Sequence, residues 1–312
     1  MRAMVQKKNV IHASMDDKVF KLIVGFLLLL ISLICAYPLY YTIIASISDP
    51  YAVYTGKLTL WPVGITLEGY EKVFTNGDIW VGYRNTALYT VTGTLFNLIL
   101  TIPAAYALSK KRMFGYNIIN SLFLITMYFG GGMIPTYILM KDLKLINNPV
   151  VIILASGISV YNMVVTRVYF QNNIPETLYE AARLDGCNEL RIFWRIVIPL
   201  SGPIVAVMAL YYAVGHWNGY FDAMMYLTKT KYQPLSLVLR RILILNQNAA
   251  KRVLESGGSM SAQEIEDAER SAYIATVMKF SLVFIGSAPM LIAYPFVQKY
   301  FVKGVMIGSL KG

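Results

Sequence analysis

Glu180-Ala181-Ala182-Arg183-Leu184-Asp185-Gly186-Cys187-Asn188-Glu189-Leu190-Arg191-Ile192-Phe193-Trp194-Arg195-Ile196-Val197-Ile198-Pro199-Leu200 is a polar interruption between two apolar runs. Its order suits two short helices joined by a turn. Pro175, just upstream, fits a first helical turn, where a missing N–H costs little. Leu178, Ala181, Ala182 and Asp185 recur at helical spacing, and the two alanines leave room for another surface. Gly186 can take the left-handed conformation that ends a helix. Leu190, Phe193, Trp194 and Val197 then recur at helical spacing, and Pro199 opens the next apolar run. A solvated linker needs neither aligned alanines nor Phe193 and Trp194 beside charge.

The surrounding chain explains where such a loop would project. Of 312 residues, 56% are hydrophobic and only 14% charged, against about 25% charged in soluble domains. That is too little charge to coat a soluble surface. The net charge of +11 does not indicate nucleic acid, because the cations lie between apolar runs and form no basic stripe. Six stretches approach the roughly 20 apolar residues that cross a bilayer: Leu22–Ala45, Ala87–Leu108, Ile118–Leu139, Val150–Tyr169, Ile198–His216 and Ala275–Val297. The third is broken by Gly130-Gly131-Gly132 and Pro135, and such a break belongs against protein or a cavity. The expected fold class is all-α, a polytopic membrane protein with six transmembrane helices. The first run is too long for a secretory signal core. Ser32-Leu33-Ile34-Cys35 is a poor lipoprotein box because Ile34 is bulky.

Orientation follows from cations in short loops. With the N-terminus inside, the inner segments hold fifteen: Arg2, Lys7, Lys8, Lys18, Lys21, Lys110, Lys111, Arg112, Arg167, Arg183, Arg191, Arg195, Lys299, Lys303 and Lys311. The first two outer loops hold five: Lys57, Lys72, Arg84, Lys141 and Lys144. Both termini and the loop 175–197 are therefore expected in the cytoplasm. The outer segment Asp49–Val81 is aromatic-rich and suits the membrane surface. Ser261-Ala262-Gln263-Glu264 reads as a capping box for a helix entering the last span.

With these features in view, Glu180, Ala181, Ala182, Asp185, Gly186, Ile196 and Pro199 resemble the EAA loop of ABC importer permeases. Cys187 stands where alanine is common, and Ile198 where leucine is usual. The resemblance implies a type I ABC importer permease fold over residues 84–297, with the coupling loop at 175–197. Residues 1–21 would form an N-terminal segment, 22–83 the first helix and outer loop, and 298–312 a C-terminal tail. It implies that Glu180, Ala181, Ala182, Arg183, Leu184, Asp185 and Gly186 dock an ATPase subunit, Glu180 meeting a basic group there. Further segments, Phe129–Tyr137, Trp217–Ala223, Tyr232–Leu235 and Phe301–Gly312, are similar to the maltose-type carbohydrate family and its LplC/YtcP-type subgroup. Implied partners are a second homologous permease in a heterodimer, two ATPase subunits carrying ATP and Mg, an extracytoplasmic sugar-binding protein and membrane lipid. The location implied is a bacterial cytoplasmic membrane.

No P-loop G-x-x-x-x-G-K-[ST] is present, so the chain is not expected to hydrolyse ATP or to bind a cofactor. Catalytic and metal signatures are likewise missing. Cys35 and Cys187 form no framework with His12 or His216. Aromatic faces beside polar groups suit sugars, so Tyr128, Phe129, Tyr211, Tyr212, His216, Trp217, Asn218 and Tyr220 are candidates for a substrate path, with His216 read as an interfacial or packing residue rather than a catalytic one. Packing and interfacial roles compete for each of these residues. Three alternatives stay open: an ABC permease for a non-sugar solute, a secondary transporter, and a membrane scaffold. A secondary transporter would favour inverted repeats and intramembrane charge; none repeats here, and Arg167 and Lys279 lie near span ends.

Overall fold

The computed structural model describes residues 15–110, 113–242, 244 and 262–309, which are helices and connecting loops without a strand. In chain order the helices begin with α1 (Met15–Ser46), α2 (Pro50–Tyr54), α3 (Glu68–Phe74), α4 (Gly77–Ser109) and α5 (Tyr116–Tyr128). There follow α6 (Met133–Asp142), α7 (Val150–Leu154), α8 (Val160–Asn173), α9 (Glu176–Leu184) and α10 (Glu189–Ile192). A π turn at Phe193–Val197 leads to α11 (Ile198–Leu200), α12 (Gly202–Asn218), α13 (Phe221–Tyr226), α14 (235–242) and α15 (Ala262–Ser309).

Three of the six expected spans are single long apolar helices: α1, α4 and residues 269–295 of α15. Two more are bent pairs, α5 with α6 at 113° and Glu189–Leu200 with α12 at 81°. The first bend sits on the Gly130–Gly132 break. Counting each bent pair as one span gives five. The stretch Val150–Tyr169 is not one helix. Residues 155–159 divide it, with Gly157 in the break and the Ser159 side chain capping α8 by accepting from Asn162 N. The run from Ile198 also starts later than expected. Pro199 has no N–H to give the Arg195 carbonyl. The ladder widens into the π turn, where Ile198 N bonds Phe193 O, and the straight helix begins only at Gly202.

α4 is the centre of the molecule. It packs against α8 and α12, while α15 packs against α1, α2, α3 and α12. One face of α4 is polar yet buried: Asn85, Thr86, Tyr89, Thr90, Gly93, Asn97 and Thr101. Four of these side chains, those of Asn85, Thr86, Tyr89 and Asn97, satisfy irregular backbone elsewhere. Asn85 donates to Lys231 O and Gln233 O, Tyr89 to Tyr232 O, and Thr86 accepts from Leu235 N at 2.7 Å. Lipid offers such groups no partner, so the bonds must be internal. Arg167 also has an internal partner, the Asn120 side chain, and so ties α8 to α5.

α1 is buried only at Ile44, Ala45 and Ser46, where it packs against α15. α5 and α6 bury no residue. α15 continues as helix through residues 298–309 of the expected tail. Arg2, Lys7, Lys8, Lys111, Arg112, Ser261 with its proposed cap, and Lys311 lie outside the described residues.

Candidate functional site

The loop after α8 is a built mount. Asp185 N bonds Ala181 O, Gly186 N bonds Arg183 O at 3.0 Å, and Cys187 N bonds Ala182 O at 2.9 Å. With Gly186 at φ +75°, this is a complete Schellman turn. A Cβ at Gly186 would touch nothing, so the backbone angle alone demands glycine. Asn188 then caps α10 by accepting from Arg191 N at 2.8 Å.

The two faces of this mount differ. Tyr179, Ala182, Ile192, Phe193 and Val197 turn inward into a core shared with Ile102, Ala105 and Tyr106 of α4. Ala182 therefore supports the turn from inside, and only Ala181 stays open to a partner. Leu184, Leu190 and Trp194 point outward with 89%, 71% and 64% of their surface exposed. Glu180 and Asp185 are exposed beside them, and Glu180 has no hydrogen bond or ion pair among the described residues.

A charged ring locks the inner face to α4. Tyr106 Oη donates to Glu189 Oε2 at 2.6 Å, and Arg183 meets Glu189 Oε1 at 3.0 Å and Glu176 at 3.9 Å. Lys110 Nζ lies over the Tyr179 ring. The Tyr106 bond, assisted by Arg183, holds the Glu189 carboxyl below its ordinary range. Its hydrogen bond to Glu189 raises Arg183. Burial pushes the Lys110 ammonium down to about 8, against the opposing pull of Glu176 and Glu189, and lifts Tyr179 to about 12. Tyr106, Glu176, Tyr179 and Glu189 were given no role in the sequence, and Lys110 only that of an inner cation, because the partners in the ring are up to 83 positions apart.

The second site is a cavity of about 360 Å³ between α4, the α7–α8 break and the end of α12. Tyr211 and Tyr212 line it. The Tyr212 hydroxyl pairs with Thr101 at 2.7 Å and accepts from Ser159 N at 3.2 Å. His216 lines the cavity too, and its Nε2 meets Asn97 Oδ1 at 2.7 Å. It fills the space of a missing side chain at Gly93, where a Cβ would lie 2.4 Å from Nε2.

The other path candidates do not converge on this cavity. Trp217 is turned away; its indole donates to Gly286 O at 2.8 Å and its ring packs on Tyr83. A buried N–H needs such a partner, and α15 supplies one. Asn218, the last residue of α12, and Tyr220 beyond it are exposed, Tyr220 under Arg240. Tyr128 and Phe129 are exposed at the α5–α6 break. The cavity instead gathers Asn97, Ser156, Ser159, Asn162 and Asp222, which the sequence reading passed over.

Residues 79–305 match the family model described as the inner membrane component of binding-protein-dependent transport systems. The chain belongs to that family. It is an integral membrane permease subunit of an ABC importer, a membrane component distinct from the ATPase. Such a permease works with ATPase and substrate-binding partners. Over 298 residues this permease is 34% identical to the polygalacturonan/rhamnogalacturonan transport system permease protein YtcP of Bacillus subtilis (strain 168), covering 96% of this chain and 100% of that one. It is 36% identical to the protein LplC of the same organism over 275 residues, 88% of this chain and 89% of that one. Among solved structures it is similar to a bacterial ABC transporter involved in the import of the acidic polysaccharide alginate. That match has a TM-score of 0.79 and 33% identity, and covers 93% of this chain and 99% of the other. The carbohydrate-family resemblance and the type I permease fold seen in the sequence are thereby supported.

Proposed function

We propose that this permease carries oligosaccharides inward by alternating access, and that Glu180–Leu200 passes ATPase closure to the membrane helices. The observation that carries the coupling role is the outward set Leu184, Leu190 and Trp194 beside unpaired Glu180, on a mount fixed from behind. An apolar patch with a free carboxylate fits a groove with a basic rim. The sugar class rests on the relatives' transport systems. In the assembled importer this chain pairs with a second, homologous permease, two ATPase subunits hold ATP and Mg, and an extracytoplasmic binding protein delivers cargo.

Six crossings with both termini inside are the topology we favour, with the divided α7–α8 as the fourth. The bare faces of α5 and α6 suit the second permease or lipid. Tyr211 and Tyr212, with Tyr128, Phe129, Asn218 and Tyr220 further out, would border the sugar's route. The test is ATP-driven uptake of labelled oligosaccharides by the reconstituted importer. Gly186→Pro is expected to abolish uptake with the protein still in the membrane. Normal uptake by that variant would remove the coupling role.

A further inference from the structure

The polar groups of the α4–α12 cavity divide into those already satisfied and those left over. The amide nitrogen of Asn97 donates to Ser156 O and Gly157 O, so its oxygen must accept from His216. Tyr212 is committed to Thr101 and Ser159. Two groups remain. The Asn162 amide, on a residue only 7% exposed, has no hydrogen-bond partner among the described residues. The Asp222 carboxylate has neither a hydrogen bond nor an ion pair among them. Both line the same cavity.

The Asn162 amide opens onto the cavity and the Asp222 residue is exposed, so neither group is sealed from solvent and both are open to a ligand. When they face one cavity, they mark what a ligand would satisfy. Its size, about 360 Å³, falls in the range of small-ligand sites. The chemistry narrows the class. A carboxylate accepts from two neighbouring hydroxyls, an amide both donates and accepts, and the Tyr211 ring offers an apolar face to C–H groups. No Lys or Arg is among the lining residues, so the site's fixed charge is negative.

We propose that this cavity binds one uncharged sugar unit through its hydroxyls, with Asp222 and Asn162 as ligands, and that Asp222 turns away a unit bearing a carboxylate. The proposal rests on the oligosaccharide reading above and adds a charge class to it. One solved relative belongs to a transporter of an acidic polysaccharide; here the unit entering this cavity is neutral, and any carboxylate on the cargo is held elsewhere.

The test uses the complete importer in lipid nanodiscs, without the binding protein. Saturation-transfer NMR would be recorded with the methyl glycosides of glucose, galactose and mannose, each paired with its uronide. At millimolar concentration at least one neutral glycoside should show transfer, and its uronide at least fivefold less. Asp222→Asn, which keeps the shape, should narrow that gap below twofold. Asn162→Leu should remove transfer from both members of the pair. A uronide equal to its neutral partner, a gap unchanged in Asp222→Asn, or no transfer to any neutral glycoside would overturn the proposal. ATP-driven uptake separates the two readings. Saccharide uptake with an unchanged gap rejects the cavity proposal alone, whereas uptake of no saccharide rejects the oligosaccharide reading itself.

Discussion

Replacing Gly186 isolates the contribution of the turn, because nothing but its backbone angle requires glycine. At φ +75° an added Cβ meets open space. Alanine there incurs only the left-handed strain, roughly 1–2 kcal/mol. The turn is closed by Gly186 N to Arg183 O and Cys187 N to Ala182 O, and by packing of Cys187 on the core that holds Ala182. Each bond contributes about 0.5–1.5 kcal/mol, so together they are comparable with the strain. Gly186→Ala should leave the turn formed in a reduced fraction of molecules, and Gly186→Asn in a larger one, since asparagine tolerates this region. Proline removes the Gly186 N–H bond and holds φ near −65°, which excludes the turn. Uptake in proteoliposomes should therefore fall in the order Gly, Asn, Ala, Pro, with alanine down severalfold and proline at background. Membrane content, measured by blotting, should stay level. Equal loss for Ala and Pro, or wild-type uptake for Pro, would refute the reasoning.

Other substitutions probe the mount from each side. Tyr106→Phe deletes one hydrogen bond to a carboxylate, about 1.5–3 kcal/mol; ATP hydrolysis should persist while sugar moved per ATP drops, as read by parallel ATPase and uptake assays. Trp194→Ala and Leu184→Glu should each weaken ATPase binding by about 2 kcal/mol, the size expected of an interface anchor, measured by co-purification in increasing detergent. Gly93→Val would drive a side chain into His216, adding about 1–3 kcal/mol of overpacking strain, and should lower the melting temperature. Lys110 gives a pH signature. Its folded pKa of about 8 lies below the ordinary 10.5, so the unfolded chain binds more protons across that interval. Stability should rise with pH from about 8 to 10.5, and Lys110→Met should flatten that rise in thermal melts.

The helix–turn–helix of Glu180–Leu200 was legible because its information is local: Pro175, Gly186 and Pro199 mark boundaries, and the apolar spacing between them has a helical period. What misled was facing. Ala181 and Ala182 are adjacent, so one must point inward, and sequence does not say which. The start of the fifth span was placed early because an apolar run does not reveal that the helix bends by 81° between Leu200 and Gly202. The buried ridge of α4 did carry a signal, Asn and Thr recurring at three- to four-residue spacing inside an apolar run. Its partners, however, are backbone groups, carbonyls and the Leu235 N–H, in segments about 60 to 150 residues away. Aromatic type alone likewise could not separate Tyr211, which lines the cavity, from Trp217, which is clamped to α15.

Residue 184 offers the most direct test of ATPase docking. Leu184→Cys, with Cys35 and Cys187 replaced by serine, would place a single thiol at an 89% exposed position. In the assembled importer a short bifunctional maleimide should link it to the ATPase subunit, and a water-soluble maleimide should label it far more slowly than in the isolated permease. No crosslink, together with equal labelling in both states, would contradict the account.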